Sequence, residues 1–348
     1  LRVFKLLGAA AGVALATAMA VAPTADASTG TTTRPVSALV VGAYSSRTTT
    51  TARPVIWGIE AGSVAADTAS GTYAGLAPGI DSWFGAQSSW SVNTSQMTAS
   101  RAAGAIPMIA WSPPGTLTDI KNGAADAQII SYAKSLASYG HPFYFRPFAE
   151  FNTQWESYSL GKPGNTPQAM YAAWRRVFRI VRQYTGTNAM FTWTVGYSGT
   201  TSSLKTAWPG AAYVNYVGID AYDWCTKASW CPGDRYRYKD MLTYVRGFDE
   251  GRPAVLAETA SGLMTSGRGA WLGAALTAAK SDGLYALVWY DEVVPNTTQP
   301  DWRLATPSSA QAGERAALSQ PNIASPRWRP VSTLEKYAMT ANWAAAIS

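Results

Sequence analysis

Along most of the chain, short runs of apolar residues alternate with longer stretches in which apolar positions recur every three or four residues. The short runs read as strands buried on both faces and the longer ones as amphipathic helices, a pairing that predicts a parallel sheet with helices packed outside it. The predicted strands are Val55–Gly58, Ser82–Ala86, Ile106–Ala110, Phe143–Phe145, Ala189–Thr194, Tyr216–Asp220, Ala254–Glu258 and Tyr285–Trp289, with Ala38–Gly42 competing for the first position. Helices are predicted over Asp126–Tyr139, Pro167–Tyr184, Lys239–Phe248 and Ala270–Ser281. Eight strand–helix units over about 250 residues match the size of a (β/α)8 TIM barrel, the α/β class expected here. The alternative, an open doubly wound sheet, calls for a glycine-rich nucleotide loop after an early strand, and the sequence has none. No fixed-period repeat and no proline-rich linker divides the chain, so one barrel domain is expected over residues 36–348.

The first 27 residues read differently. Arg2 and Lys5 precede an apolar run, Leu6–Ala22, and Ala25-Asp26-Ala27 supplies the small-x-small pattern of a signal-peptidase site. A signal peptide cleaved after Ala27 is expected, then a flexible lead-in over residues 28–35, and the protein is expected to be secreted to the extracellular space. In that oxidising compartment the two cysteines, Cys225 and Cys231, are expected to close a short loop as a disulfide.

Composition narrows the chemistry. With 47% hydrophobic and 14% charged residues, 15 Trp and 18 Tyr among 348, the chain is a folded, aromatic-rich protein, and disordered and coiled-coil classes are poorly supported. A single histidine, His141, leaves no material for a histidine-rich zinc site, and no metal or other cofactor is expected. His141 also precedes Pro142 and lacks a G-x-S-x-G partner, which argues against a serine triad and reads as a turn. The net charge of +7 invites a nucleic-acid reading, but Arg175, Arg176, Arg179 and Arg182 interleave with Trp174, Val177, Phe178 and Val181 at helical spacing. That pattern is an amphipathic helix with a solvated face, so neither a nucleic-acid nor a membrane partner is expected, and a monomer is the default.

In a barrel of this kind the reactive groups stand at the C-terminal ends of the strands. Those ends carry Trp111 and Ser112, Arg146 and Glu150, Tyr197, then Asp220, Tyr222 and Trp224, then Glu258, and finally Trp289 to Glu292. Aromatic rings beside carboxylates suit sugars, whose apolar faces stack while their hydroxyls take hydrogen bonds. Glu150 follows a short apolar strand in RPFAEFN, and Glu258 closes the apolar run of RPAVLAETAS. They are 108 residues apart, about three strand–helix units, which assigns them to the fourth and seventh strands at one barrel mouth. Two carboxylates there suffice for glycoside cleavage with retention: one protonates the leaving oxygen and the other attacks the anomeric carbon, with oxygens about 5 to 5.5 Å apart. Trp111, Trp155, Trp224 and Trp289 are candidate sugar-contacting rings, with Trp155 and Trp289 foremost as platforms. Arg146 is a candidate site residue that orients the nucleophile. Asp220 is balanced between a structural and a functional role, whereas Asp291 and Glu292 read as loop residues.

RPFAEFN with Trp155, AWRRVFR, FTWTVG, VGIDAYDW, AVLAET and LVW, in that order from Ile106 to Trp289, resemble the secreted β-mannanases of glycoside hydrolase family 26. The resemblance implies Glu150 as acid/base, Glu258 as nucleophile, Tyr222 as a tyrosine near the nucleophile and Trp155 as a sugar platform. It implies an endo-acting hydrolase with β-1,4-mannan as the leading polysaccharide substrate. Two departures stand out. Ala149 occupies the position where the family usually has a histidine, and Thr153 replaces a glycine after the asparagine. The first opens the alternatives of mixed-linkage β-glucan or β-xylan. A barrel that binds polysaccharide without cutting it, and an inverting hydrolase pairing one of these glutamates with Asp220 or Asp291, are the other readings.

Overall fold

The computed structural model describes residues 54–85, 90–226, 237–295, 297–320, 323–325 and 330–346. The segments assigned to a signal peptide and lead-in, the competing strand Ala38–Gly42 and Cys231 lie outside the described residues. Cys225 is buried, and no free cysteine occurs among the described residues.

Eight parallel strands close on themselves: β1 (Val55–Glu60), β2 (Ile80–Phe84), β3 (Ile106–Trp111), β4 (Phe143–Pro147), β5 (Ala189–Gly196), β6 (Tyr216–Asp220), β7 (Ala254–Thr259) and β8 (Ala286–Tyr290). Each pairs with the next, and β1 pairs with both β2 and β8, which completes the barrel. A two-residue strand, β9 (Ile323–Ala324), adds to the outer start of β1. Around the barrel run α1 (Val64–Ala74), α2 (Thr94–Ala102), α3 (Leu117–Asn122), α4 (Asp126–Ser138), α5 (Pro167–Thr185), α6 (Leu204–Ala207), α7 (Arg237–Arg246), α8 (Gly267–Ser281), α9 (Gln311–Leu318) and α10 (Val331–Ala346). The second strand begins two residues before its expected start; α1 spreads its apolar residues around the helix and α2 has few of them, so neither shows a clear helical period.

Strand parity divides the core in two. Ile56, Ile80, Met108, Tyr144, Met190, Tyr216, Val255, Ala286 and Val288 fill the barrel interior. The alternate residues, among them Trp57, Ile109, Trp111, Phe145, Phe191, Trp193 and Trp289, face the helical layer. Leu334 and Ala338 of α10 belong to the interior cluster, and the Tyr216 hydroxyl donates to the Ala338 carbonyl at 2.5 Å. Helix α10 therefore seals the end of the barrel opposite the mouth.

The basic helix α5 is amphipathic as expected, but its arginine face is only partly solvated: Arg175, Arg176 and Arg182 are half-buried against neighbouring side chains, and Arg179 is exposed. Thr166 caps its first turn and Pro167 occupies N1, where no amide hydrogen is needed. Arg176 pairs with Asp126 at 2.5 Å, and Arg175 lies 4.2 Å from the ring centres of both Tyr171 and Tyr213. No helix among the described residues is long and apolar enough to cross a membrane.

Candidate active site

The mouth holds a cavity of about 600 Å³ lined by Glu150, Trp155, Tyr197, Asp220, Tyr222, Trp224, Tyr290 and Trp302, with Gln154, Ser198, Ala221 and Gln299 filling the gaps. Its lining comes from the ends of β4, β5, β6 and β8 and from the segment that precedes α9.

Glu150 sits in a tight turn after β4. Its φ is 56° and that of Phe148 is 54°, so two non-glycine residues adopt left-handed backbone on either side of Ala149. Three neighbours hold the turn. The Glu150 amide donates to the Thr194 carbonyl at 3.1 Å, and its carbonyl accepts from the Thr153 amide at 2.9 Å and the Thr153 hydroxyl at 2.6 Å. Asn152 then bridges to Gly196 on β5 in both directions, each hydrogen bond 2.9 Å long. Gly196 is required here by space: a Cβ would lie 2.8 Å from Thr153 Cγ2 and 3.0 Å from Glu150 Oε1. Trp155 Nε1 donates to Glu150 Oε2 at 3.1 Å.

Glu258 lies one hydrogen bond below the cavity lining. It is fully buried on β7, where the pairing with β6 shifts register beside Asp220 and Glu258. Arg146 Nη2 donates to Glu258 Oε1 at 3.0 Å and to Asp220 Oδ2 at 2.6 Å, while Arg146 Nε reaches Thr194 Oγ1 at 3.2 Å. The Tyr222 hydroxyl donates to Glu258 Oε2 at 2.5 Å. Both oxygens of Glu258 therefore accept from a donor, one of them cationic, which favours the carboxylate form. Burial alone would lower the pKa of Arg146, but the carboxylates of Asp220 and Glu258 outweigh it and hold the guanidinium above its ordinary value. A charged triad of Arg146, Asp220 and Glu258 forms the floor of the site.

The sequence-predicted residues divide cleanly. Glu150, Trp155, Tyr222 and Trp224 meet at the cavity, and Trp224 is 44% exposed at its rim. Arg146, by contrast, is wholly buried and touches Glu258 and Asp220 from below, so its place is beside the nucleophile candidate and away from the open cavity.

Trp111 and Trp289 are corrected by strand parity: each lies on the outward face of its strand, in the helical layer. Trp111 stacks 4.4 Å from Tyr132 and packs against Phe145 and Trp90. Trp289 has no exposed surface, packs edge-on to Trp271, and its Nε1 donates to the Trp302 carbonyl at 2.9 Å. Neither ring has a face open to a sugar. The inward position at the end of β8 belongs to Tyr290, one residue further on, which does line the cavity.

Tyr197 and Tyr290 both stand among the strand-end residues that the sequence marks, Tyr290 without an assigned role. Gln154, Ser198, Gln299 and Trp302 carry no such mark, and Trp302 arrives from beyond the last strand. Glu60 is a further buried carboxylate closing an apolar strand, the same signal that marks Glu258. Asp291 turns to α1 and the 302–304 segment, accepting from the Ser70 hydroxyl and the Leu304 amide. No grouping of three or more His, Cys, Asp or Glu suited to a metal occurs among the described residues.

Residues 69–238 match the family model described as Glycosyl hydrolase family 26. Endoglucanase H of Acetivibrio thermocellus is 30% identical over 226 residues, 62% of this chain and 24% of that protein, so the match spans about a quarter of the curated relative. Among solved structures, a family 26 β-mannanase from Bacteroides ovatus aligns with a TM-score of 0.59 at 16% identity, covering 78% of this chain and 90% of that one. A modular endo-β-1,4-mannanase from Cellulomonas fimi aligns with a TM-score of 0.61 at 14% identity, covering 80% of this chain and 73% of that one. At such identities the two mannanases speak to the barrel fold.

Proposed function

We propose that this chain, which belongs to glycosyl hydrolase family 26, cleaves internal linkages of a β-linked polysaccharide with retention, with β-glucan ahead of β-mannan. The observation that carries the reading is the pairing of Glu150, on the cavity wall, with Glu258, held from both sides by Arg146 and Tyr222. An ionised, fully hydrogen-bonded carboxylate suits a nucleophile, and a carboxyl beside the open cavity suits proton transfer to a leaving group.

In the first step a Glu258 oxygen forms a bond to the anomeric carbon as the glycosidic C–O bond breaks, and Glu150 delivers its proton to the departing oxygen. In the second, Glu150 takes a proton from water, whose oxygen displaces Glu258 from the anomeric carbon and restores both carboxyls. Arg146 compensates the negative charge of the floor through the cycle, and Tyr222 holds Glu258 until attack. Aromatic rings around the cavity offer stacking faces to pyranose rings.

The preference for glucan rests on two points. The relative at 30% identity bears the name of an endoglucanase, whereas the mannanases resemble the chain at 16% identity or less. Ala149, beside Glu150, offers no side-chain hydrogen bond to a sugar hydroxyl, unlike the histidine usual in the mannanases. The export pattern over residues 1–27 fits a polymeric substrate that cells meet outside the membrane.

The test is reducing-sugar release from mixed-linkage β-glucan, cellulose, galactomannan, glucomannan and xylan, with Glu258→Ala as blank. Release from a glucan that vanishes in the variant supports the reading. Release from galactomannan alone moves the assignment to mannan, and binding without release moves it to a non-catalytic barrel.

A further inference from the structure

Trp302 stands beyond the family match and thirteen residues after Trp289, yet it is 1% exposed and borders the cavity. Its position is fixed from several sides. The Trp302 amide donates to the Glu292 carbonyl at 3.1 Å, its carbonyl accepts from Trp289 Nε1 at 2.9 Å, and its Nε1 donates to Gln299 Oε1 at 3.3 Å. Two residues later, the Leu304 amide is held by Asp291 and the Leu304 carbonyl by Arg268 Nη2 at 2.8 Å. The segment is therefore tied to the end of β8 and to α8 along its backbone.

From this anchored segment the Trp302 indole packs on two cavity rings. It lies 5.2 Å from the Tyr222 ring at 50°, and 5.1 Å from the Trp224 ring at 86°. Tyr290 also packs edge-on against Tyr222, at 5.7 Å. Tyr222 is the residue whose hydroxyl meets Glu258 at 2.5 Å, and Trp224 is the exposed ring at the rim. Tyr222 follows the last residue of β6 by two positions, and its hydroxyl direction depends on what confines the ring.

We propose that Trp302 is a positioning residue of the active site: it holds the Tyr222 hydroxyl on the Glu258 carboxylate and holds the Trp224 ring upright for sugar stacking. The proposal rests on the hydrolase reading above, because it assigns Trp302 an effect on a nucleophile. It gives the segment before α9 a function that residues 69–238 do not contain. It also separates two effects of one indole. Loss of confinement at Tyr222 weakens the hydrogen bond to Glu258 and acts on kcat and on the acidic limb of the pH profile. Loss of the wall behind Trp224 acts on KM.

The experiment compares wild type, Trp302→Ala, Trp302→Phe, Tyr222→Phe, Trp224→Ala and Trp302→Ala/Tyr222→Phe on whichever polysaccharide of the panel the wild type hydrolyses. Thermal melts of every variant establish that it is folded. Trp302→Ala is expected to lower kcat about tenfold, to raise KM about threefold and to move the acidic limb of kcat/KM to higher pH, since a carboxylate that loses a donor protonates more readily. Trp302→Phe restores most of kcat. Tyr222→Phe reproduces the kcat and pH effects, Trp224→Ala reproduces the KM effect, and the double variant is no slower than Tyr222→Phe. Trp302→Ala and Tyr222→Phe effects on kcat that multiply, or a folded Trp302→Ala with an unmoved pH profile, overturn the proposal. Full turnover in Glu258→Ala would instead overturn the hydrolase reading beneath it.

Discussion

Arg146, near the end of β4, reaches across the barrel to Glu258 on β7 and places Nη2 3.0 Å from its Oε1. The same nitrogen holds Asp220 at 2.6 Å, and all three side chains are removed from water. One cation thus compensates two carboxylates in the space below the cavity. Arg146→Met leaves both uncompensated, and breaking a buried pair in this way costs about 3–5 kcal/mol. The variant is expected to be inactive and markedly less stable in urea at pH 7, with the loss shrinking as the carboxylates protonate in acid. Arg146→Met/Asp220→Asn should regain part of that stability.

Gly196 tests how tightly Glu150 must be held. A methyl group there would lie 2.8 Å from Thr153 Cγ2 and 3.0 Å from Glu150 Oε1, so the Glu150 side chain has to move. Gly196→Ala is expected to lower kcat on polysaccharide by about tenfold or more, since small misplacements of a reacting group are costly. KM should change little, and the melting temperature should fall by a few degrees at most.

The two glutamates are separable by leaving group. Glu150→Ala should slow polysaccharide cleavage about 10²- to 10⁴-fold, the usual worth of a general acid. With a dinitrophenyl glycoside, whose leaving group departs without a proton, much less is lost in the glycosylation step. Glu258→Ala should abolish both reactions. Steady-state and burst kinetics on the two substrate types measure the difference.

The barrel was legible in the sequence because its strands are apolar on both faces, and periodicity detects burial without needing to know its direction. Glu150 and Glu258 were legible for a related reason: a carboxylate closing an apolar run is expensive unless something compensates it. Direction was the hidden variable. Trp111 and Trp289 stand at strand ends, as a mouth residue should, but on the outward side of the parity that puts Tyr290 inside. A continuous apolar run carries no alternation to reveal this. Trp302 was hidden for another reason, since its place depends on backbone hydrogen bonds to Glu292 and Trp289 that sequence spacing does not encode.

Asp81 gives stability a pH dependence away from the mouth. Burial against α1 and α2 pushes its pKa up to about 7, with the Ser100 hydroxyl pulling part of the way back. An unfolded aspartate titrates near about 3.9, so between these values the folded chain binds more protons than the unfolded one. This residue's contribution to stability therefore declines as pH rises from about 4 to about 7 and stays at its lowest above that. Asp81→Asn should be more stable than wild type at pH 8, by about 1–3 kcal/mol, with the advantage fading toward pH 4. Urea titrations at the two pH values check the sign.

The division of labour between Glu150 and Glu258 is tested most directly by trapping. Glu150→Ala slows the second step, so a 2-deoxy-2-fluoro glycoside with a dinitrophenyl leaving group, built on the disaccharide repeat of the hydrolysed polymer, should leave the sugar bonded to the protein. Peptide mass spectrometry is expected to find one added glycosyl group on the fragment containing Glu258. A label on any other residue, or product of inverted anomeric configuration from the wild-type enzyme, would contradict the account.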